Sequence, residues 1–153
     1  MEQAIASLRT RGLNLKREWI QTVLPKLGDK NLESELFETA LVTDLPLCSN
    51  GLDSLSAPKG ESFTFEDCAV FQIQSVANIA MPVDSQFADS SNRMLKLEMT
   101  DGAHTCYAIE YSPIPALSVS LQKGYKVCVR NVRVVNRLWL LNASNTLFLG
   151  GHC

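Results

Sequence analysis

The stretch LKLEMTDGAHTCYAI, residues 95–109, commits this chain to antiparallel β-structure more firmly than any other part of it. Leu95, Leu97 and Met99 alternate with Lys96, Glu98 and Thr100, a period of two that turns one apolar face toward a core. Asp101-Gly102 follows, a pair that favours a two-residue type I′ turn. With those two residues as the loop, Thr100 stands opposite Ala103, Leu97 opposite Cys106 and Leu95 opposite Ala108, and Arg93 meets Glu110 as an ion pair. The reverse face carries Lys96 opposite Tyr107 and Met94 opposite Ile109. It is more apolar than a solvated face requires, so the sequence predicts a cover over it, and the N-terminal helices are the candidate.

The same period recurs only in the second half of the chain, at 68–80, 93–100, 103–111 and 125–135 and in LWLLN and TLFLG near the end. Before it the period is helical. MEQAIASLRTRG ends in a plausible Gly12 cap, LKREWIQTVLPKLG places Trp19, Ile20 and Val23 on one stripe that Pro25 should kink, and NLESELFETALVTDL has Asn31 as N-cap. From Leu45 to Glu66 the texture is Pro, Ser, Gly and Asn without a sustained period, which reads as a connection. The expected fold is therefore α+β: a small N-terminal three-helix domain with its connecting segment over 1–66, then a five-stranded barrel over 67–151. Five short strands with long connections at 81–92 and 112–124 match the oligonucleotide/oligosaccharide-binding (OB) fold, whose first such loop often carries recognition.

At 153 residues, with 46% hydrophobic and 20% charged residues, the chain can bury a normal core. A net charge of −2 argues against binding nucleic acid by overall field. The N-terminus lacks the basic start and apolar core of a signal peptide. Five widely spaced cysteines without a CxxC pair point to reduced thiols, and so to a cytoplasmic or nuclear protein without a metal site.

Catalytic patterns are missing: no phosphate-binding glycine loop, HExxH or GxSxG occurs, and no cofactor motif. His104 reads as a cross-strand neighbour of Met99 at the barrel rim and Asp101 as a turn residue, so no enzymatic activity is expected. Between 123 and 137, Lys123, Lys126, Arg130, Arg133 and Arg137 appear with no acid among them. They read either as a solvated strand face or as a strip that contacts single-stranded RNA or DNA, although the rings available for stacking alternate as core residues do. In MPVDSQFADSSN, residues 81–92, Met81, Val83 and Phe87 stand among polar residues without a basic one, the pattern of a protein-anchoring loop with Phe87 as its hot spot.

RMLKLEMTDG, AIEYSPIPAL and WLLNASNTLFLGG, with Thr43-Asp44-Leu45 at the end of the helical part, together resemble the N-terminal module of the family of RecQ-mediated genome instability protein 1 and Tudor domain-containing protein 3. The resemblance implies a non-catalytic partner of a type IA topoisomerase of the topoisomerase III class, docked by the barrel, with the loop after the first strand reaching the enzyme's gate. The short 81–92 loop is similar to the Tudor branch, which implies topoisomerase III beta as the favoured partner and alpha as the second. Candidate contacts are Met81, Val83, Phe87 and Asp89 in the loop with Lys126 and Arg130 on a neighbouring strand. Two features depart from the family: Asn136-Arg137 stands where Asn-Gly is favoured, which would put Arg137 in a left-handed conformation or a different turn, and no Tudor domain follows, so a fragment of a longer protein is expected.

Overall fold

The computed structural model describes residues 1–28, 31–56, 60–80 and 93–151. Its N-terminal part is a layer of amphipathic helices: α1 (Glu2–Thr10) buries Ile5 and Leu8, α2 (Arg17–Val23) buries Ile20, and α3 (Leu32–Leu41) buries Leu36 and Ala40. Their ends follow from the sequence. Gly12, at φ +92°, takes the chain away from α1, α2 passes into a 3-10 turn at Leu24–Lys26 where Pro25 has no N–H to continue it, and Asn31 Oδ1 accepts from Ser34 N at 3.2 Å. Two further one-turn helices, α4 (Leu45–Cys48) and α5 (Asp53–Ser56), lie in the segment that the sequence reads as a plain connection. A single turn is too short to show a period, although Leu45 and Cys48 are both fully buried. The part ahead of the barrel therefore holds five short helices among the described residues, not three, and Leu55 of α5 packs on the barrel core rather than on the helical one.

The strands are β1 (Phe63–Asn78), β2 (Leu95–Thr100), β3 (Thr105–Glu110), β4 (Lys126–Val135), β5 (Leu138–Leu141) and β6 (Thr146–Gly150). Their order is β1-β2-β3-β5-β4, and β4 pairs back onto β1 to close a barrel in which, among the described strands, β3 and β5 run parallel and the other pairs antiparallel. β5 lies beside Arg133–Val135 and β6 beside Lys126–Val129, on the same edge of β4, so the two make one fifth strand interrupted at Asn142–Asn145. This is the five-stranded closed barrel of the OB fold. β1 begins at Phe63, upstream of the expected start of the barrel at 67.

Inside the barrel, Leu95, Leu97 and Met99 meet Ala108, Val127, Val129, Val132 and Val134 around Trp139, whose ring lies 5.1 Å from that of Phe65 and 5.3 Å from that of Phe71. Ile114 and Leu117, from the long connection after β3, complete this core. β1 is covered on both sides. Ala69, Phe71 and Ile73 face the barrel interior while Val70 belongs to the core beneath the helices, with Cys128 and Leu149 packed against it. That double burial explains why AVFQI reads as a continuous apolar run rather than an alternation. Its one polar member, Gln72, is fully buried: its Oε1 accepts from Leu45 N at 2.8 Å, and its Nε2 donates to Asp44 Oδ1 at 2.6 Å.

The hairpin buries the expected face, but its register differs. Leu97 pairs with Ala108, Met99 with Cys106 and Thr100 with Thr105, so the loop is residues 101–104 and not the two-residue turn. The cause is the Asp101 carboxylate. Its Oδ1 accepts from Ala103 N at 2.9 Å and His104 N at 2.7 Å, holding the chain in a wider turn that a two-residue loop would not allow. A shift of two residues leaves every side chain on its expected face. The Arg93–Glu110 ion pair forms nonetheless, at 2.6 Å, as a diagonal contact. At the other hairpin, Asn136 and Arg137 take φ +51° and +67°, the left-handed geometry of a type I′ turn without its usual glycine.

Candidate partner-docking face

The expectation that the N-terminal helices cover Met94, Tyr107 and Ile109 is corrected by the structure. The helices pack instead on Val70, Cys128 and Leu149, and Met94 and Tyr107 are 47% and 45% exposed. The helical layer chooses the β1–β4–β6 side because β1 there offers Val70 and Gln72, which complete its core and its α4 cap. Of the outward residues on or beside β2, β3 and β5, Met94, Lys96 and Tyr107 are exposed and Ile109, Leu138 and Leu140 are half-buried. Tyr107 stands beside Leu138 and Ile109 beside Leu140, and Lys96 Nζ lies 5.3 Å from the Tyr107 ring centroid. The result is a face of exposed and half-buried apolar side chains in which Lys96 stands opposite Ile109, Glu98 opposite Tyr107, and Arg133 beside Leu140.

At one end of this face the chain leaves for residues 81–92, and both departure points are fixed. Asn78, fully buried, accepts through Oδ1 from Ala80 N at 3.2 Å and from Met94 N at 3.0 Å, while Ile79 N donates to Met94 O at 2.8 Å. Arg93 donates to both carboxylate oxygens of Glu110, at 3.0 and 2.6 Å, and to Ile114 O at 3.0 Å. Asn78 was not singled out by sequence. The available signal is a polar residue at the last inward position of an otherwise apolar strand, immediately before a loop.

Met81, Val83, Phe87 and Asp89 lie outside the described residues. Lys126 does not belong to any surface: it is 1% exposed, pairs with Gln72 in the ladder, and donates from Nζ to Gly124 O at 2.7 Å beneath the helical layer. Its charge bears on Cys48, whose thiol burial pushes up to about 11 against the opposing influence of Lys126. Arg130 is exposed on β4 opposite Cys68, in the half of β1 away from the 81–92 root. The structure thus leaves Lys123, Arg130, Arg133 and Arg137 exposed and removes Lys126 from the basic strip.

Among the described residues, the arrangement with the outline of acid–base chemistry is Asp101 with His104, whose Nδ1 lies 2.8 Å from Asp101 Oδ2. The thiol two residues on, Cys106, is pushed up to about 12, first by burial and then by the Asp101 charge, so the pair does not generate a nucleophile there. Asp101 instead ties structure together. Its Oδ2 also accepts from Leu52 N at 2.9 Å, and its backbone carbonyl accepts from Ser49 Oγ at 2.9 Å. Burial alone would raise its pKa, but the bonds from Leu52, His104 and Ala103 outweigh it and hold the carboxyl below its ordinary value. Among the described residues no group of three His, Cys, Asp or Glu side chains could hold a metal ion, and no helix is long and apolar enough to cross a membrane.

Residues 52–153 match the family described as RMI1, N-terminal OB-fold domain. RecQ-mediated genome instability protein 1 of Oryza sativa is 28% identical over 161 residues, covering 99% of this chain and 20% of that protein. The protein of the same name in Gallus gallus is 30% identical over 155 residues, covering 82% of this chain and 24% of its own length. Tudor domain-containing protein 3 of Xenopus tropicalis is 37% identical over 83 residues, 54% of this chain and 12% of that protein. The chain spans a quarter or less of these relatives. It belongs to the RMI1 N-terminal OB-fold family.

Proposed function

We propose that the chain is a non-catalytic scaffold that holds a type IA topoisomerase of the topoisomerase III class, through this outer face and the 81–92 segment. It biases the strand-passage gate of that enzyme by binding one gate state more tightly than the other. The observation that carries this reading is the exposure of large apolar side chains near the root of the segment: Ile79, Met94 and Tyr107 are 41%, 47% and 45% exposed on one barrel face. Aromatic and methionine side chains on a rigid sheet, with Lys96 and Glu98 among them, suit a protein interface. The family membership supports it, as do relatives whose names tie them to genome stability. Topoisomerase III beta is the favoured partner, on the shortness of the 81–92 segment, with topoisomerase III alpha second.

The test is calorimetric titration of the chain with topoisomerase III beta at near-physiological salt. Tight binding is expected, lost when 81–92 is replaced by a short Gly/Ser linker and weakened at least about tenfold by Met94→Ala with Tyr107→Ala at unchanged melting temperature. Unchanged affinity in both variants overturns the reading. Binding of single-stranded RNA or DNA without binding of the enzyme would move the function to Lys123, Arg130, Arg133 and Arg137, with an affinity that falls steeply with salt.

A further inference from the structure

Phe63 stands opposite Val134, Val134 opposite Trp139, and Trp139 beside Ala108, so β1, β3 and β5 all begin at the end of the barrel where β4 finishes. A pocket of about 520 Å³ enters at this end. Its apolar walls come from Leu55, Phe63, Cys106, Val134 and Trp139, and Arg137 of the β4–β5 hairpin lines it with them. Trp139 is held from within by Phe65 and Phe71, whose ring centres lie 5.1 and 5.3 Å from its own. Barrel mouths are a common seat for small ligands, and the volume falls within the range of about 300–1,000 Å³ that such ligands occupy.

The hairpin gives the charge of the ligand. Among the described residues no carboxylate lines the pocket. His104 lines it with Nδ1 committed to Asp101, and the Asp101 carboxylate is itself taken up by Leu52, Ala103 and His104. Arg137 is exposed, its backbone N–H donates to Glu61 O at 3.0 Å, and its guanidinium has no hydrogen bond or ion pair among the described residues. It is held at φ +67°, where glycine sits without steric cost and a side chain is strained. The turn alone would be served better by glycine, and no polar contact of the side chain within the described residues offsets the strain. Residues held in this way cluster at ligand sites. What arginine adds over glycine is a planar positive fork beside an apolar pocket, which fits a carboxylate carried on an apolar body.

We propose that this pocket binds a small aromatic carboxylate, its ring against Trp139 and Phe63 and its carboxylate on the Arg137 guanidinium. The aromatic walls favour a flat ring over an aliphatic chain. The site goes beyond the docking reading and does not rest on it: Tyr107 lies in both regions, but Phe63, Arg137 and Trp139 take no part in the docking face.

The experiment is a 15N–1H NMR titration of the chain with phenylacetate and with phenylacetamide, its neutral isostere. Saturable shifts are expected at the Trp139 indole N–H and at the backbone amides of Cys106, Arg137 and Trp139. Phenylacetamide should bind at least about tenfold more weakly, because charge-assisted hydrogen bonds are the stronger kind. Arg137→Gly removes the charge and the strain together, so it should weaken phenylacetate binding at least about tenfold while raising the melting temperature by about 2 °C or more. The proposal is overturned if these signals do not move with phenylacetate, if phenylacetamide binds equally well, if the glycine variant binds unchanged or melts below the parent, or if single-stranded oligothymidylate saturates the same signals at lower concentration.

Discussion

Replacing Asp101 by Ala should cost about 3–5 kcal/mol of folding stability, far more than a turn residue usually contributes. The side chain is 1% exposed and its two oxygens accept four hydrogen bonds, from the backbone N–H groups of Leu52, Ala103 and His104 and from the His104 ring. Hydrogen bonds to a charged group are worth about 1.5–3 kcal/mol each, and an orphaned buried donor costs about 1–3 kcal/mol. Ala103 and His104 lie where water can replace the carboxylate, so they contribute the lower part of the range. Leu52 is buried and has no such substitute. Urea unfolding followed by tryptophan fluorescence would give the loss as a lower midpoint at unchanged slope. Amide exchange adds a local signature, since the Leu52 N–H should lose its protection in the variant. A loss below about 1 kcal/mol, well under the cost of one buried orphan, or a Leu52 amide as protected as before, would show that the carboxylate is not what joins these segments. The pH dependence follows with its sign. Because the folded pKa of Asp101 lies below its unfolded value of about 3.9, its contribution is complete above that value and is lost as pH falls through the folded one. The variant should therefore be less sensitive to acid than the parent.

Gly12→Ala should lower stability by about 2–4 kcal/mol, because φ is +92° and a Cβ would lie 2.7 Å from both Ala69 Cα and Cys68 O; differential scanning calorimetry reads this as a fall in Tm of about 5 °C or more. Asn78→Ala should release the ends of the 81–92 segment, seen as amide exchange at Ala80 and Met94 faster by about tenfold, with the barrel core unchanged. Cys106, pushed up to about 12, should react with iodoacetamide at pH 8 at least about a hundredfold more slowly in the folded chain than in urea, and mass mapping of the labelled peptides checks it.

Much of the barrel was legible because alternation reports a one-sided strand directly. Leu95, Leu97 and Met99 are buried as their spacing requires. What alternation does not report is which residues stand opposite, and there Asp101 decided, using side-chain bonds to the backbone that an Asp-Gly pair does not disclose. α4 and α5 escaped notice because four residues cannot display a helical period. Lys126 was misjudged for a different reason: a lysine among valines reads as an outward charge, and only the arrival of helices from the other end of the chain buries it. Left-handed Arg137 was one of two alternatives written into Asn136-Arg137, since a tight hairpin demands positive φ whatever residue is supplied. The reverse face of Met94, Tyr107 and Ile109 is legible as unusually apolar, but the N-terminal helices expected over it pack on Val70, Cys128 and Leu149 instead.

The two-sided burial of β1 also sets how this molecule must come apart. A chain cut at residue 52, where the family match begins, would keep the residues of β1–β6 yet strip α1–α4 from Val70, leave Gln72 facing solvent in place of Leu45 and Asp44, and uncover Lys126 beside it. Helices and barrel share one strand as a common wall, so they should unfold in a single cooperative transition rather than as two foldons. Residues 1–51 then act less as an appended domain than as the second half of the barrel's own wall.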